Sequence, residues 1–177
     1  MKRLLALILL CLASCTTPSQ SLKNMYANSL REREGGSVFD TLGDRYQANQ
    51  ERRLALVRQY LAEEEVQSSD DYLYAGALLS TSPYEEDLIA AQMSGLKAAE
   101  MGEDRGFRVA AESIDRYAMH VGKPQRYGTQ FYYVEVIEKW RLYPVDPRTT
   151  DAERKAMGIE PLAELLERTE LLNEKIR

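Results

Sequence analysis

The chain has 177 residues, with 23 lysine and arginine residues against 28 aspartate and glutamate residues, so its formal net charge is −5. An acidic chain without a basic block is a poor match to DNA or RNA, and we expect no nucleic-acid partner. The length is sufficient for a single hydrophobic core after an N-terminal targeting segment is set aside.

The first residues, MKRLLALILLCLASC, have the pattern of a secretory signal. Lys2 and Arg3 precede an apolar run that is too short for a permanent membrane span. The run ends in Leu-Ala-Ser-Cys, which resembles a bacterial lipobox. The resemblance implies a signal peptide over 1–14, cleavage before Cys15, a diacylglyceryl group on the Cys15 thiol and acylation of the new amino group. The alternative is an ordinary signal peptide with a chance cysteine.

The residue types argue against metal and cofactor chemistry. Cys11 leaves with the signal, and a lipidated Cys15 is a thioether, so the mature chain has no free thiol, disulfide or cysteine ligand. The acidic clusters lack the spacing of a calcium loop, and His120 is the single histidine. No nucleotide-binding glycine loop or serine-nucleophile motif is present. We therefore expect no metal and no cofactor.

The charge and polarity pattern predicts a short tether followed by one domain. We assign residues 15–43 to the lipidated cysteine and a linker, because 16–24 is small and polar and Gly35-Gly36 is a break. The globular domain is then 44–177. Its first helix is predicted over about 44–65 from apolar residues at helical spacing.

Two helices follow with distinct signals at their ends. Ser82 and Glu85 form a predicted capping box around Pro83, and Ser69 or Asp70 is expected to cap the helix before it. Small residues on the helix after Ser82 would let a neighbouring helix approach closely. The next helix, about 104–121, has the clearest apolar stripe in the chain.

In the C-terminal third of the chain, the helical pattern gives way to a strand-like pattern and then returns. Alternating aromatic and β-branched residues predict a β-hairpin, and Thr150 with Glu153 forms a second capping box. The fold class is therefore α+β and mostly helical, with repeat-like antiparallel helices, a short β-hairpin and a C-terminal helix. The predicted parts are a helix pair over about 70–121, a motif loop over 122–130, a hairpin over 131–145 and helices over 150–175.

Two segments resemble known families. The helix pair is similar to tetratricopeptide and Sel1-like repeats, with YAGAL and RVAAE 34 residues apart, and at most one and a half repeats fit. Residues 70–170 resemble a bacterial domain family of uncharacterised function that carries a Gly-x-Pro-Gln-x-Tyr-Gly-Thr-Gln motif. The matching residues are Asp115, Arg116, Gly122, Pro124, Gln125, Tyr127, Gly128, Thr129, Gln130, Arg154, Gly158, Pro161 and Leu162.

The motif loop has two interpretations. Its polar side chains could hold a small ligand, with Tyr127 as a stacking wall; the candidate residues are Gln125, Arg126, Tyr127, Thr129 and Gln130. Alternatively, the glutamines tie the loop to nearby backbone groups. His120 is a weak catalytic candidate, because it lies beside the loop but also at a helix C-terminus, where a histidine needs no catalytic explanation.

These observations favour a lipid-anchored protein of the cell envelope that holds a protein or peptide partner. The alternative is a small-ligand binder or hydrolase-like enzyme that uses His120 and the loop. Thr16 is not the aspartate that typically retains lipoproteins in the inner membrane of Gram-negative bacteria. By that resemblance, we expect attachment to the outer membrane, facing the periplasm.

Overall fold

The structure, a computed structural model, describes residues 17–35 and 43–175; Cys15 and the signal segment lie outside the described residues. The predicted α+β, mostly helical class is confirmed, with one two-stranded antiparallel sheet. The elements are α1 (Pro18–Gly35), α2 (Asp44–Ala62), α3 (Ser69–Leu79), α4 (Glu85–Glu100), α5 (Arg105–His120), β1 (Phe131–Val134), β2 (Lys139–Leu142), α6 (Asp151–Ala156) and α7 (Leu162–Glu174).

Helix α1 corrects the predicted linker over 15–43. Its Leu22 is fully buried, and the Tyr26 ring stacks on Tyr74 of α3 with centroids 5.3 Å apart. The Ser19 hydroxyl donates a 2.8 Å hydrogen bond to Asp71 at the start of α3. The sequence of α1 is mostly polar and has no continuous apolar stripe. These tertiary contacts therefore stabilise the helix.

The predicted cap of α3 is wrong by at least one residue. Ser68 is the N-cap, and its hydroxyl accepts a 3.1 Å hydrogen bond from the Asp71 backbone N–H. The Asp71 carboxylate in return accepts from the Ser68 backbone N–H, which completes a capping box. Asp71 therefore fixes the starts of both α1 and α3.

Small residues set the spacing of α3, α4 and α5, as predicted. A Cβ atom added to Gly95 would lie 2.6 Å from the Gly106 carbonyl oxygen, so α4 and α5 cross backbone to backbone. On α3, a Cβ on Gly76 would lie 3.1 Å from the Ala91 carbonyl oxygen of α4 and 3.2 Å from the Gly95 nitrogen. The region of the predicted helix pair, 70–121, contains in antiparallel sequence the three helices whose ends the sequence indicates.

The predicted Ser82–Glu85 capping box does not form. Helix α4 begins at Glu85 with Tyr84 as its N-cap. The Ser82 hydroxyl instead donates to Asp87, which also receives two hydrogen bonds of 2.7 and 2.6 Å from the Arg58 guanidinium of α2. The Ser82 hydroxyl binds Asp87 because a buried carboxylate needs a donor for the lone pairs that Arg58 leaves unpaired.

The hairpin is shorter than the predicted 131–145, and α7 covers one of its edges. Tyr133 pairs with Trp140, and a 3₁₀ turn over 135–137 joins the strands. The side-chain amide of Asn173 on α7 binds both the backbone N–H and the C=O of Trp140. The Thr150–Glu153 capping box of α6 is confirmed.

Candidate functional site

Asp115 holds the motif loop to α5. This carboxylate is fully buried and accepts hydrogen bonds from the backbone N–H groups of Arg126, Tyr127 and Thr129, at 2.6, 2.8 and 2.9 Å. The Thr129 hydroxyl supplies a fourth bond of 2.9 Å. Four donors compensate the desolvation of the buried carboxylate, so the loop wraps around one anionic side chain of the protein itself.

The Gln125 side chain extends the hairpin beyond its strands. It is fully buried, and its Nε2 donates to the carbonyl groups of Gln130 and Tyr143 at 3.1 and 2.7 Å. Its Oε1 accepts from the Gln130 backbone N–H at 2.8 Å. The Gln125 backbone forms an isolated parallel bridge with Val145. Both Nε2 donors and the Oε1 oxygen of this amide are bonded to backbone groups.

Arg154 of α6 binds the backbone of the motif loop at Tyr127. It is 2% exposed, and its Nε donates to the Tyr127 carbonyl at 3.1 Å while Nη1 reaches the Thr149 carbonyl and Asp151. Tyr127 itself is buried, and burial raises the pKa of its phenol. Its ring packs in the C-terminal core with Ile159 rather than lining a cavity.

The geometry supports the structural interpretation of the loop over the ligand-binding one. Gln130 is buried, and its side chain donates to the Glu112 carbonyl and to the Thr129 hydroxyl. Only Arg126 extends outward, where it lies 5.3 Å over the Tyr127 ring and pairs with Glu153 at 3.2 Å. The candidate ligand-binding residues therefore hold a corner between α5 and the hairpin.

His120 does not join this cluster. Its side chain is about half exposed at the end of α5, and Nε2 lies 3.5 Å from the Glu85 carboxylate of α4. Asp115 is turned toward the loop backbone and cannot orient the imidazole. We therefore do not assign a catalytic role to His120.

A second surface, which is absent from the sequence-based predictions, lies on α4. Ile89, Met93 and Leu96 are exposed and recur at four- and three-residue intervals, with Met93 at 66% exposure. We call these three residues the α4 face. The opposite side of α4 is the small-residue seam against α3 and α5. Apolar residues on two sides of one helix are the sequence signal for such a surface, because the second apolar side predicts a second packing partner.

The α4 face borders a groove between α2 and α4 with α3 as its floor. One part has a volume of about 740 Å³ and is lined by Leu61, Tyr72 and Met93, among others. A second part, of about 460 Å³, continues past Leu61 to Tyr84. We call both parts together the α2–α4 groove.

The two basic side chains that line the groove, Arg58 and Lys97, are paired within the protein. Arg58 is held by Asp87 and lies 5.3 Å over the Tyr84 ring at one end. Lys97 pairs with Glu100 at 2.9 Å at the other end. The groove therefore offers an apolar floor with an acidic excess from Glu51 and Glu86 at the Tyr84 end, which suits an apolar segment more than an anionic small molecule.

Comparisons with known proteins add no relatives: no family model, curated protein or solved structure matches the chain. Within residues 17–35 and 43–175, none of the helices combines the length and the apolar character needed to span a bilayer. Over the same ranges, no group of three or more histidine, cysteine, aspartate or glutamate side chains is arranged to hold a metal ion.

Proposed function

We propose that this protein is an envelope lipoprotein, anchored by acyl chains on Cys15, whose domain holds a helix of a partner protein in the α2–α4 groove. The observation that carries the proposal is the α4 face. Its spacing of four and three residues is that of a helix-packing ridge. An amphipathic helix laid beside this ridge would bury apolar surface without displacing any ion pair of the groove.

The lipobox pattern at Leu12–Cys15 and the short apolar run before it support the anchor. The residue after Cys15 supports placement on the outer membrane, facing the periplasm. Two or more acyl chains give stable attachment, so the domain would meet its partner at the membrane surface.

The small-ligand and hydrolase-like alternative lacks a supporting contact. Such a site needs polar groups that point into a cavity, and those of Gln125 and Gln130 are bound to backbone. The commitment of both amides favours the interaction module.

The test is capture of the partner in native envelopes. The tagged full-length protein is crosslinked in the host, and the captured partner is identified and quantified. We expect Met93→Glu to reduce the captured amount at least about tenfold, because it places a charge in the apolar contact.

Leu171→Glu is the matched control. Leu171 is also an exposed large apolar residue, but it lies on α7, away from the groove. Equal capture by the parent and by Leu171→Glu, with loss in Met93→Glu, supports the proposal. Equal losses in both variants, or undiminished capture by Met93→Glu, contradict it.

A further inference from the structure

The backbone of β1 has an open edge. In an antiparallel ladder, paired residues alternate between those that bond to each other and those that point their backbone groups outward. The N–H of Trp140 donates to Asn173 Oδ1 at 2.7 Å, and its C=O accepts from Asn173 Nδ2 at 3.2 Å. Trp140 is therefore an outward-facing position, and its pair Tyr133 directs its own N–H and C=O to the far edge of β1.

The hydrogen bonds at the open end of the hairpin, next to Gln130 and Tyr143, show the same alternation of bonded and outward-facing pairs. The Tyr143 N–H donates to the Gln130 carbonyl at 3.0 Å, so the pair just before β1 is a hydrogen-bonded one. The next pair, Phe131 with Leu142, must then face outward. No third strand pairs with this edge in the part of the chain that the structure describes.

The strand at this edge is uncharged and partly exposed. β1 contains no charged residue, Tyr132 is 37% exposed, and Val136 at the hairpin tip is 94% exposed. Natural sheet edges usually carry charges, proline or a covering segment that prevents pairing. This edge has none of these three protections among the described residues.

We propose that β1 pairs antiparallel with β1 of a second copy of this chain, with the two-fold axis at Tyr132. The outward residues Phe131 and Tyr133 flank Tyr132 symmetrically. Under this symmetry, each Phe131 faces Tyr133 of the other copy, and the two pairs exchange four hydrogen bonds. The two hairpins then form one four-stranded sheet.

The β1 edge is complementary to itself, and the charges near it do not oppose pairing with a second copy. In the antiparallel register, Glu135 of one copy lies opposite Thr129 of the other, so the acidic hairpin tips are at opposite ends of the new sheet. The edge strand itself brings no like charges together. This surface lies on the hairpin and is separate from the α2–α4 groove, so its test is independent of the proposed function.

The first test compares two substitutions at one position by sedimentation equilibrium of the full-length protein in density-matched detergent. Tyr133→Pro removes the outward N–H while leaving the ladder to β2 intact, a position at which sheets tolerate proline. Tyr133→Ala removes the same ring and keeps the N–H. We expect a dimer for the parent and for Tyr133→Ala, and a dimer dissociation constant at least about tenfold higher for Tyr133→Pro.

The second test does not depend on how the proline variant folds. Tyr132→Cys in the full-length chain would place two thiols at the symmetry axis, within the Cα separation that a disulfide requires. Arg141→Cys is the control, because its copies would be three strand spacings apart, about 14 Å. We expect mild oxidation to give a crosslinked dimer, absent from the parent, in Tyr132→Cys and not in Arg141→Cys. A monomeric parent, or equal crosslinking by both variants, overturns the proposal.

Discussion

Asp115 binds Thr129 twice, through the Thr129 backbone N–H and through its hydroxyl, with both hydrogen bonds 2.9 Å long. The same carboxylate also accepts from the N–H groups of Arg126 and Tyr127. One side chain of α5 therefore determines the path of a loop whose composition could equally have served a ligand. The backbone path over 126–129 and the threonine at position 129 are explained by this requirement.

Asp115→Asn should destabilise the protein by about 2–4 kcal/mol, because hydrogen bonds to a charged acceptor are strong and the amide nitrogen would face donors. The measurement is urea unfolding of the two proteins. Asp104→Asn is the control: it makes the same chemical change at an exposed position just before α5. A loss below about 1 kcal/mol for Asp115→Asn would mean that the carboxylate does not hold the loop.

Gly95→Ala should be more damaging than Gly76→Ala. The new methyl of Gly95→Ala would lie 2.6 Å from the Gly106 carbonyl oxygen, whereas that of Gly76→Ala meets its nearest atom at 3.0 Å. Overpacking costs about 1–3 kcal/mol or more, while replacing a helical glycine by alanine gains up to about 1 kcal/mol. Thermal unfolding of both variants checks the order, and equal stability would contradict the close helix crossing.

The turn between β2 and α6 should make the stability of the protein depend on pH in the acid range. The Asp146 carboxylate accepts hydrogen bonds from the Arg148 side chain and backbone, which lowers its pKa from 3.8 to about 2. The unfolded chain then binds the proton more tightly, so this stabilisation is complete above about pH 3.8 and is lost as pH falls toward 2.

Urea midpoints measured at pH 2, 3, 4 and 6 test this dependence. We expect Asp146→Asn to unfold more easily than the parent at pH 6 and to approach it at pH 2. High salt should reduce the difference, because the pair is at the surface. A difference that is constant across this pH range would exclude Asp146 as the titrating group.

If Cys15 is lipidated, α1 also fixes the orientation of the domain. Pro18 begins α1 three residues after Cys15, so at most about 11 Å of chain separates them. Ser19 binds Asp71, which places the start of α3 at the same end. A fluorophore at position 70, at the start of α3, should therefore be quenched strongly by headgroup-labelled lipids. A fluorophore at position 86, at the start of the antiparallel helix α4, should be quenched less. Equal quenching would contradict this orientation.

Periodicity predicted some elements well, and tertiary contacts decided the others. The stripe of α5 and the capping box at Thr150 depend on local sequence, and both occur as predicted. Helix α1 was missed because its stability depends on contacts such as Tyr26 with Tyr74, far apart in sequence. Ser82 was misassigned because the distant Arg58 organises Asp87, which then takes the hydroxyl.

In the candidate site, too, local sequence predicted some features and tertiary contacts decided the others. Glutamine amides serve a ligand or a backbone carbonyl with the same chemistry, so composition leaves the role of Gln125 open until its neighbours are known. The α4 face could have been found from the apolar character of both sides of α4. Its exposure, however, depends on where α2 and α3 lie.

The central claim is that the α4 face, and not the motif loop, contacts the partner. The most direct test places a photoreactive amino acid at position 93 or at position 126, which are both exposed, in the lipidated protein within native envelopes. We predict one defined protein adduct from position 93 and none from position 126. A defined adduct from position 126, with none from position 93, would contradict the account.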